Sequence, residues 1–465
     1  MLALLALAQL ALLSVSVSGD NGGQLKILVT KKGQQYASEV ARDLISRQIG
    51  QKKFPTMKNG GITITNVAVT SVKEPDINLN HNPPHGLTVH AKDGVMNVAG
   101  DWNYRWGFIR ESGTFSLKVT VVDMTVPLTL SHTDAGIPMI KESSCSVDLD
   151  VSNLQIHGKL LAAIASLFKG TVGGRIENTM QETICQETEK MAEQEVNQLL
   201  QKIPTELSLF ENNVVIDVSM VEDPVFGKDG SIMLEQRGLL SWRGEEPEDA
   251  EGSKLPDFDS SDDKMAYIQI SDSLLKAFTK AAQRQGLWKH QISSADTSFL
   301  KTGCPDYICL GRLVPIMAEK FPDHDIKVEV LVTSPPIFDI KNDTAFFEFN
   351  ATGKIISETS NDTLLQLEGH VVGSSKIGVK HYNIVPNVKL TKVDIQIRNS
   401  SIGDLDEDSL QCGLDFLRPF LVNALNHALS RGMELPDSDT IRLVNADIRF
   451  TKNALLMSTD FKAYL

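Results

Sequence analysis

Between Asp101 and Arg110 the chain reads Asp-Trp-Asn-Tyr-Arg-Trp-Gly-Phe-Ile-Arg, the stretch whose side chains are best suited to recognition chemistry. Trp102, Tyr104, Trp106 and Phe108 alternate, so on an extended strand all four rings share one face while Asn103 and Arg105 share the other. Such a row either fills a core or, at the end of a sheet, inserts at a bilayer interface, where Trp and Tyr present an apolar body and a polar edge. Reactive chemistry has no comparable signal. There is no G-x-S-x-G elbow, H-E-x-x-H helix, phosphate loop or dinucleotide fingerprint. His81 and His85 are four residues apart but flank Pro83-Pro84 instead of sharing a helix face, and His132 near Asp134 gains no further support. The expectation is a protein that is not an enzyme and needs neither cofactor nor metal.

Five cysteines and four Asn-x-Ser/Thr sequons carry the remaining chemistry. Cys145 ends a strand-like region and Cys185 lies in a long helical pattern, which makes them the best-motivated disulfide pair. Cys304, Cys309 and Cys412 leave several pairings open: the first two could close on each other, or either could reach the third. The sequons, at Asn342, Asn350, Asn361 and Asn399, all fall in the second half and mark candidate glycosylation sites on a solvent-facing surface.

These residues need a frame. The opening MLALLALAQLALLSVSVSGD has an apolar run from Leu2 to Leu13 followed by small residues, the pattern of a secretory leader over residues 1–18. The run is shorter than the roughly 20 residues a membrane span needs. The rest of the chain is too long for one core and suits two domains. The net charge of −14 is unevenly spread: residues 20–118 hold 13 Lys+Arg against 8 Asp+Glu, whereas residues 119–242 hold 8 against 18. The first quarter is the basic segment of an acidic chain, and that net acidity with an exported location disfavours nucleic acid as a partner. Arg243 to Met265 is rich in acid, Ser, Gly and Pro and reads as an exposed linker, giving a first domain over 19–242, a linker over 243–265 and a second domain over 266–465.

Within each domain the hydrophobic pattern repeats one order. Tyr36, Val40, Leu44, Ile45 and Ile49 mark an amphipathic helix; period-two runs come next, from Ile62, Leu87, Val95, Phe115 and Val147; a long helical stripe then runs from Leu160 towards Ile203. After the linker, Leu274, Leu275, Phe278 and Ala282 mark a helix. Strand-like runs start at Ile326, Ala345, Leu364 and Val388, and Leu410 to Leu429 form a second long stripe, interrupted by Pro419. The exits match as well, Lys202-Ile203-Pro204 before Val214 and Glu434-Leu435-Pro436 before Ile441. Two copies of one helix-wrapped antiparallel sheet, an α+β fold, is the natural reading.

The motifs resemble those of the bactericidal permeability-increasing and lipopolysaccharide-binding proteins. The resemblance is carried by Gly23-Gln-Leu-Lys-Ile-Leu-Val-Thr-Lys-Lys-Gly33 with Tyr36-Ala37, Pro84-His-Gly-Leu87, Ala99-Gly-Asp-Trp102, Ser112-Gly-Thr-Phe115, Ser143-Ser-Cys145 and Thr183-Ile-Cys185. In the second half it continues through Ile268-Gln-Ile-Ser-Asp272, Lys320-Phe-Pro322, Ser400-Ser-Ile-Gly403 and Leu443-Val-Asn-Ala446. It implies an elongated, boomerang-shaped molecule of two barrels, each a twisted antiparallel sheet around a long helix, joined by a central sheet. It also implies a disulfide between Cys145 and Cys185, an apolar pocket in each barrel, and basic side chains at the far end of the first barrel that meet anionic lipid head groups. The matching segments supply Lys52, Lys53, Lys58, Arg105 and Arg110 as head-group contacts, a thinner cluster than strongly bactericidal members carry, with the aromatic row beside them as the membrane-facing element.

Two functions fit this frame. One is a secreted, monomeric innate-immunity protein that binds lipopolysaccharide or phospholipid at a bacterial or vesicle surface, with antibacterial activity as its furthest extension. The other is a lipid carrier or transfer protein. Either needs an enclosed apolar groove, because exposing acyl chains to water costs about 0.8 kcal/mol per methylene and on the order of 20 kcal/mol for a phospholipid.

Overall fold

The computed structural model describes residues 23–49, 54–59, 61–84, 86–142, 144–158, 173–201, 205–209, 214–243, 245, 255–258, 263–304, 306–341, 343–435 and 441–464. The leader, Lys52, Lys53, Asn342, the first part of the stripe that starts at Leu160 and most of 243–265 lie outside the described residues.

Each half opens with a short strand, Leu25–Val29 or Ala266–Ser271, that runs directly into a helix, Lys31–Ile49 or Asp272–Arg284. The helix starts are encoded locally. The Thr30 hydroxyl accepts from the Gly33 N–H and the Ser271 hydroxyl from the Ser273 N–H, both at 3.3 Å, so each satisfies a donor that the first helical turn leaves unpaired.

The two opening strands lie antiparallel, with Leu25 against Ile270, Ile27 against Ile268 and Val29 against Ala266. They form the middle of a six-stranded sheet. Val225–Phe226, Ile232–Gln236 and Leu25–Val29 come from the first half; Ala266–Ser271, Ala454–Ala463 and Ile441–Thr451 come from the second. Leu25, Ile27, Val29, Ile268, Met457 and Phe461 share one core, so the halves cannot part without exposing it. Polar contacts lock the same seam: Lys32 Nζ lies 2.8 Å from Asp460 Oδ1, and the Ala463 N–H donates to the Tyr36 hydroxyl at 3.0 Å. The acidic segment also contributes apolar anchors, for Leu255 is buried and Phe258 packs against Leu28, Tyr267 and Leu456.

Away from the seam, each half curls a sheet against its long helix. In the first, the 24-residue strand Ile109–His132 pairs with Gly94–Trp106 and Gly86–Lys92 along one edge and with Ser146–Gly158 and Pro138–Glu142 along the other. In the second, the sheet runs through Lys289–Ile292, Ile326–Val332, Thr344–Ser357, Thr363–Lys380, Asn383–Ser400 and Met433–Glu434, with Ile337–Lys341 beside Thr344–Ser357. Ile62–Lys73 pairs with the other edge of Gly94–Trp106, and the period-two runs lie inside these strands.

The helices are Gly173–Lys190, which continues through a π-helical turn, Met191–Val196, into Asn197–Leu200, and Glu407–Leu429. One device ties both to their sheets. Asn197 accepts from the Ile140 N–H and donates to the Ile140 carbonyl, each at 2.8 Å; Asn426 does the same to Val388, at 2.8 and 2.9 Å. A carboxamide on the helix thus satisfies a strand residue's N–H and C=O together. Cys145 and Cys185, forty residues apart, are bonded with Cα atoms 5.5 Å apart, clamping strand to helix. Of the pairings left open by the sequence, Cys304 joins Cys309, and Cys412 is an exposed thiol on Glu407–Leu429.

Candidate lipid-binding site

Strands Gly94–Trp106 and Ile109–His132 are joined by the two-residue turn Gly107-Phe108, with Trp106 opposite Ile109 and Arg105 opposite Arg110. Gly107 has φ +56°, the left-handed region such a tight hairpin requires and side chains resist. The structure divides the aromatic row. Trp102 is 1% and Tyr104 9% exposed, whereas Trp106 is 69% and Phe108 97% exposed. Trp102 donates its indole N–H to the His157 carbonyl at 3.2 Å and fits because residue 113 is glycine: a Cβ there would lie 2.8 Å from the indole and 1.9 Å from the His157 oxygen.

The expectation that all four rings face a membrane is therefore corrected. Trp102 and Tyr104 belong to the core formed with Phe115, Leu117 and helix residues Ile176 and Met180. Alternation continues to Trp106, but at that point the strand has run past its core, and Phe108 sits in the turn instead of on a strand.

On the opposite face of this hairpin lie the basic residues. Arg105 and Arg110 are exposed and directly opposed. Lys58, exposed on Met57–Asn59, is in a row with Thr63, Asn103 and Ser112, one step further from the turn. Among the described residues none of the three forms an ion pair. Like charges directly across a hairpin cost roughly 0.2–1 kcal/mol, a penalty that an anion placed between them removes. Asp101, the acid on this face, is engaged by the Asn66 side-chain amide at 2.7 Å.

At the other end of the same two strands, where Gly94 pairs with Val121 twelve residues back from Trp106, the first half holds a cavity of about 160 Å³. Its walls are Val72, Ile77, Val89, Met96, Val121, Met124, Val126 and Leu128 from the sheet and Ile184, Met191 and Ala192 from the helix, with Lys73 and Glu187 as its charged members. Met191 and Ala192 stand in the π-helical turn, a widening that the sequence does not signal, since its residues are ordinary helix formers.

The remaining candidates are structural. His81 donates through Nε2 to Gln34 Oε1, its ring 5.5 Å from that of Phe226, and Gln34 Nε2 donates to the Gly230 carbonyl at 2.6 Å. Burial holds the His81 pKa below its ordinary value against the opposing pull of Asp229. His132 Nδ1 meets Asp223 at 2.7 Å, not Asp134. Among the described residues no group of three or more His, Cys, Asp or Glu is placed to hold a metal, and no helix is long and apolar enough to cross a membrane. Asn350, Asn361 and Asn399 are exposed.

Two family models cover this arrangement, the N-terminal domain of the LBP / BPI / CETP family over residues 31–203 and its C-terminal domain over 208–463. The chain belongs to the LBP / BPI / CETP family. Its membership extends along nearly its full length: a lipopolysaccharide-binding protein of Oryctolagus cuniculus is 22% identical, spanning 99% of this chain and 98% of that protein. A bactericidal permeability-increasing protein of Rattus norvegicus is 22% identical over 98% and 97%. The fold agrees with the family's two-barrel architecture, for the crystal structure of a lipopolysaccharide binding protein superposes with a TM-score of 0.61 at 19% identity, covering 96% of this chain and all of that one. The junction between the two family models precedes the acidic segment, so the strands Val214–Asp217, Ile232–Gln236 and Leu239–Trp242 fall within the C-terminal model.

Proposed function

We propose that this member of the family is a secreted, non-catalytic, monomeric lipid-binding protein of innate immunity that engages lipopolysaccharide or phospholipid at a bacterial or vesicle surface. The observation that carries this reading is the hairpin apex: two large, exposed rings, Trp106 and Phe108, set immediately beyond two opposed guanidinium groups. Rings enter the bilayer interface while Arg105, Arg110 and Lys58 meet phosphate, an arginine fork binding two oxygens and lysine acting as a point charge. Lys52 and Lys53, outside the described residues, are the remaining head-group candidates. The apolar cavity at the far end of the same strands receives acyl chain. The relatives named for lipopolysaccharide binding and for bactericidal permeability support the same ligand class.

Purified protein should bind lipopolysaccharide and anionic vesicles with an affinity that falls as salt rises, because exposed charge contacts are screened. Salt-independent binding, or none, overturns the reading. A second reading, lipid transfer without antibacterial action, is favoured by the net charge of −14, which opposes approach of the whole molecule to an anionic bacterial surface. It predicts accelerated phospholipid exchange between vesicles without tight lipopolysaccharide binding.

A further inference from the structure

On the outer face of the second half's sheet, strands Ile326–Val332 and Ile337–Lys341 both end against Thr344–Ser357. Asn350 stands at this junction, exposed, its carbonyl accepting from the Thr333 N–H and hydroxyl at 2.8 and 3.1 Å. Three apolar side chains share its face: Leu331, paired with Thr352; Ile337, paired with Glu348; and Phe346; they are 41%, 64% and 47% exposed. Leu331 and Ile337 are diagonal neighbours of Asn350, about 7–8 Å away, and Phe346 lies about 13 Å along its own strand. The same sheet pairs exposed charges in Lys327–Glu329, Lys341–Asp339, Lys392–Asp394 and Arg398–Glu368, whereas Glu348, between Phe346 and Asn350, forms no ion pair among the described residues. Three exposed apolar side chains gathered around one asparagine make a surface suited to a cover.

Asn350-Ala-Thr352 is a sequon at the centre of that strip. We propose that an N-linked oligosaccharide on Asn350 is what covers Leu331, Ile337 and Phe346. Two further sequons sit on the same sheet. Asn399 pairs with Gln366, four residues along one strand from the His370 that faces Asn350, which puts both asparagines on one face. The sequon at Asn361 adjoins the one at Asn399, where the Ser401 hydroxyl donates to the Thr363 carbonyl at 2.9 Å. In the modification the Asn350 side-chain nitrogen bonds to the anomeric carbon of an oligosaccharide carried on a lipid pyrophosphate. The sugar–pyrophosphate bond breaks, its electrons leave with the pyrophosphate, and that group takes the proton lost from nitrogen. The apolar faces of the first sugars then lie over the three side chains, and their hydroxyls face water.

This inference rests on the reading of the chain as secreted, and the experiment separates the two. The full-length chain, with its own leader, is expressed in a glycosylating eukaryotic cell line. Protein from the medium is treated with an amidase that releases N-glycans in heavy-oxygen water, and its peptides are mapped by mass spectrometry. The expected result is labelled aspartate at 350. An unlabelled Asn350 in protein carrying label at 361 or 399 overturns the proposal and leaves the secretory reading intact; protein retained in the cytosol without label at any site overturns both. The cover itself is tested with Thr352→Ala and Asn350→Gln, each of which removes the sequon, against Thr352→Ser, which keeps it. Binding of an environment-sensitive apolar dye should rise in the first two and stay at the wild-type level in the third. No rise in either glycan-free variant overturns the cover and leaves the strip to a protein partner.

Discussion

The hairpin apex of the first half and the strip around Asn350 in the second both expose large apolar side chains, yet their surroundings differ. At the apex two arginines oppose each other without an ion pair among the described residues, and Asp101, the nearby acid, is engaged by Asn66. Around Asn350 four ion pairs and the acid Glu348, unpaired among the described residues, flank the apolar residues, and the central residue is a sequon asparagine. Apolar exposure alone is therefore uninformative, and the charge beside it points to the occupant. Unmatched cations suit an anionic lipid surface, whereas a strip that carries an unpaired acid beside a sequon suits a covalently attached, uncharged cover.

The largest effect that sharpens this contrast falls on stability. Trp102→Ala, from the buried half of the aromatic row, should cost about 3–5 kcal/mol in denaturant unfolding, a loss that a lipid-facing ring would not show. Next, Trp106→Ser combined with Phe108→Ser should weaken binding to anionic vesicles about a hundredfold, taking about 1.5 kcal/mol per ring and 1.4 kcal/mol per factor of ten, with the unfolding midpoint unchanged. Leu331→Ser combined with Ile337→Ser should leave vesicle binding at the wild-type level; a comparable loss from that pair would break the comparison. Replacing Arg105 and Arg110 by alanine should reduce binding about thirtyfold at low salt, at about 1 kcal/mol per cation, and flatten the salt dependence while sparing neutral vesicles. The smallest effect concerns acid. Burial lowers the pKa of His81 in the folded state, so the unfolded chain binds that proton more readily. Its contribution to stability should be complete above its unfolded pKa of about 6.5 and decline as the pH falls from there to the lowered folded value. His81→Gln should flatten that part of the pH–stability curve; an unaltered slope would show that His81 is not its source.

Much of this is legible in the chain itself. Alternation placed the strands because a residue's face in a sheet depends only on its neighbours' parity, as in Gly94–Trp106, where buried positions alternate from Gly94 to Tyr104. The long stripes likewise specified helices, and in the first of them Ile176, Met180, Val196 and Leu200 are buried; the repeated order specified two similar halves. What alternation cannot encode is where cover stops. Trp102 and Trp106 have the same parity and the same residue type, yet one is sealed against His157 and Gly113 and the other stands in solvent.

The sequence by itself determined the repeat, the strand faces, the family motifs, the basic first quarter and the Cys145–Cys185 clamp, all of which derive from local periodicity, composition or recognisable spacing. Only the tertiary structure decided the rest. It set Arg105 against Arg110 through hairpin register, chose Cys309 over Cys412 as the partner of Cys304, opened a π-helical turn beside the cavity, and gathered apolar residues from three strands around Asn350. Each of those outcomes depends on which distant segment lies alongside, and pairing between strands is fixed by the whole folded sheet, not by any one of its strands.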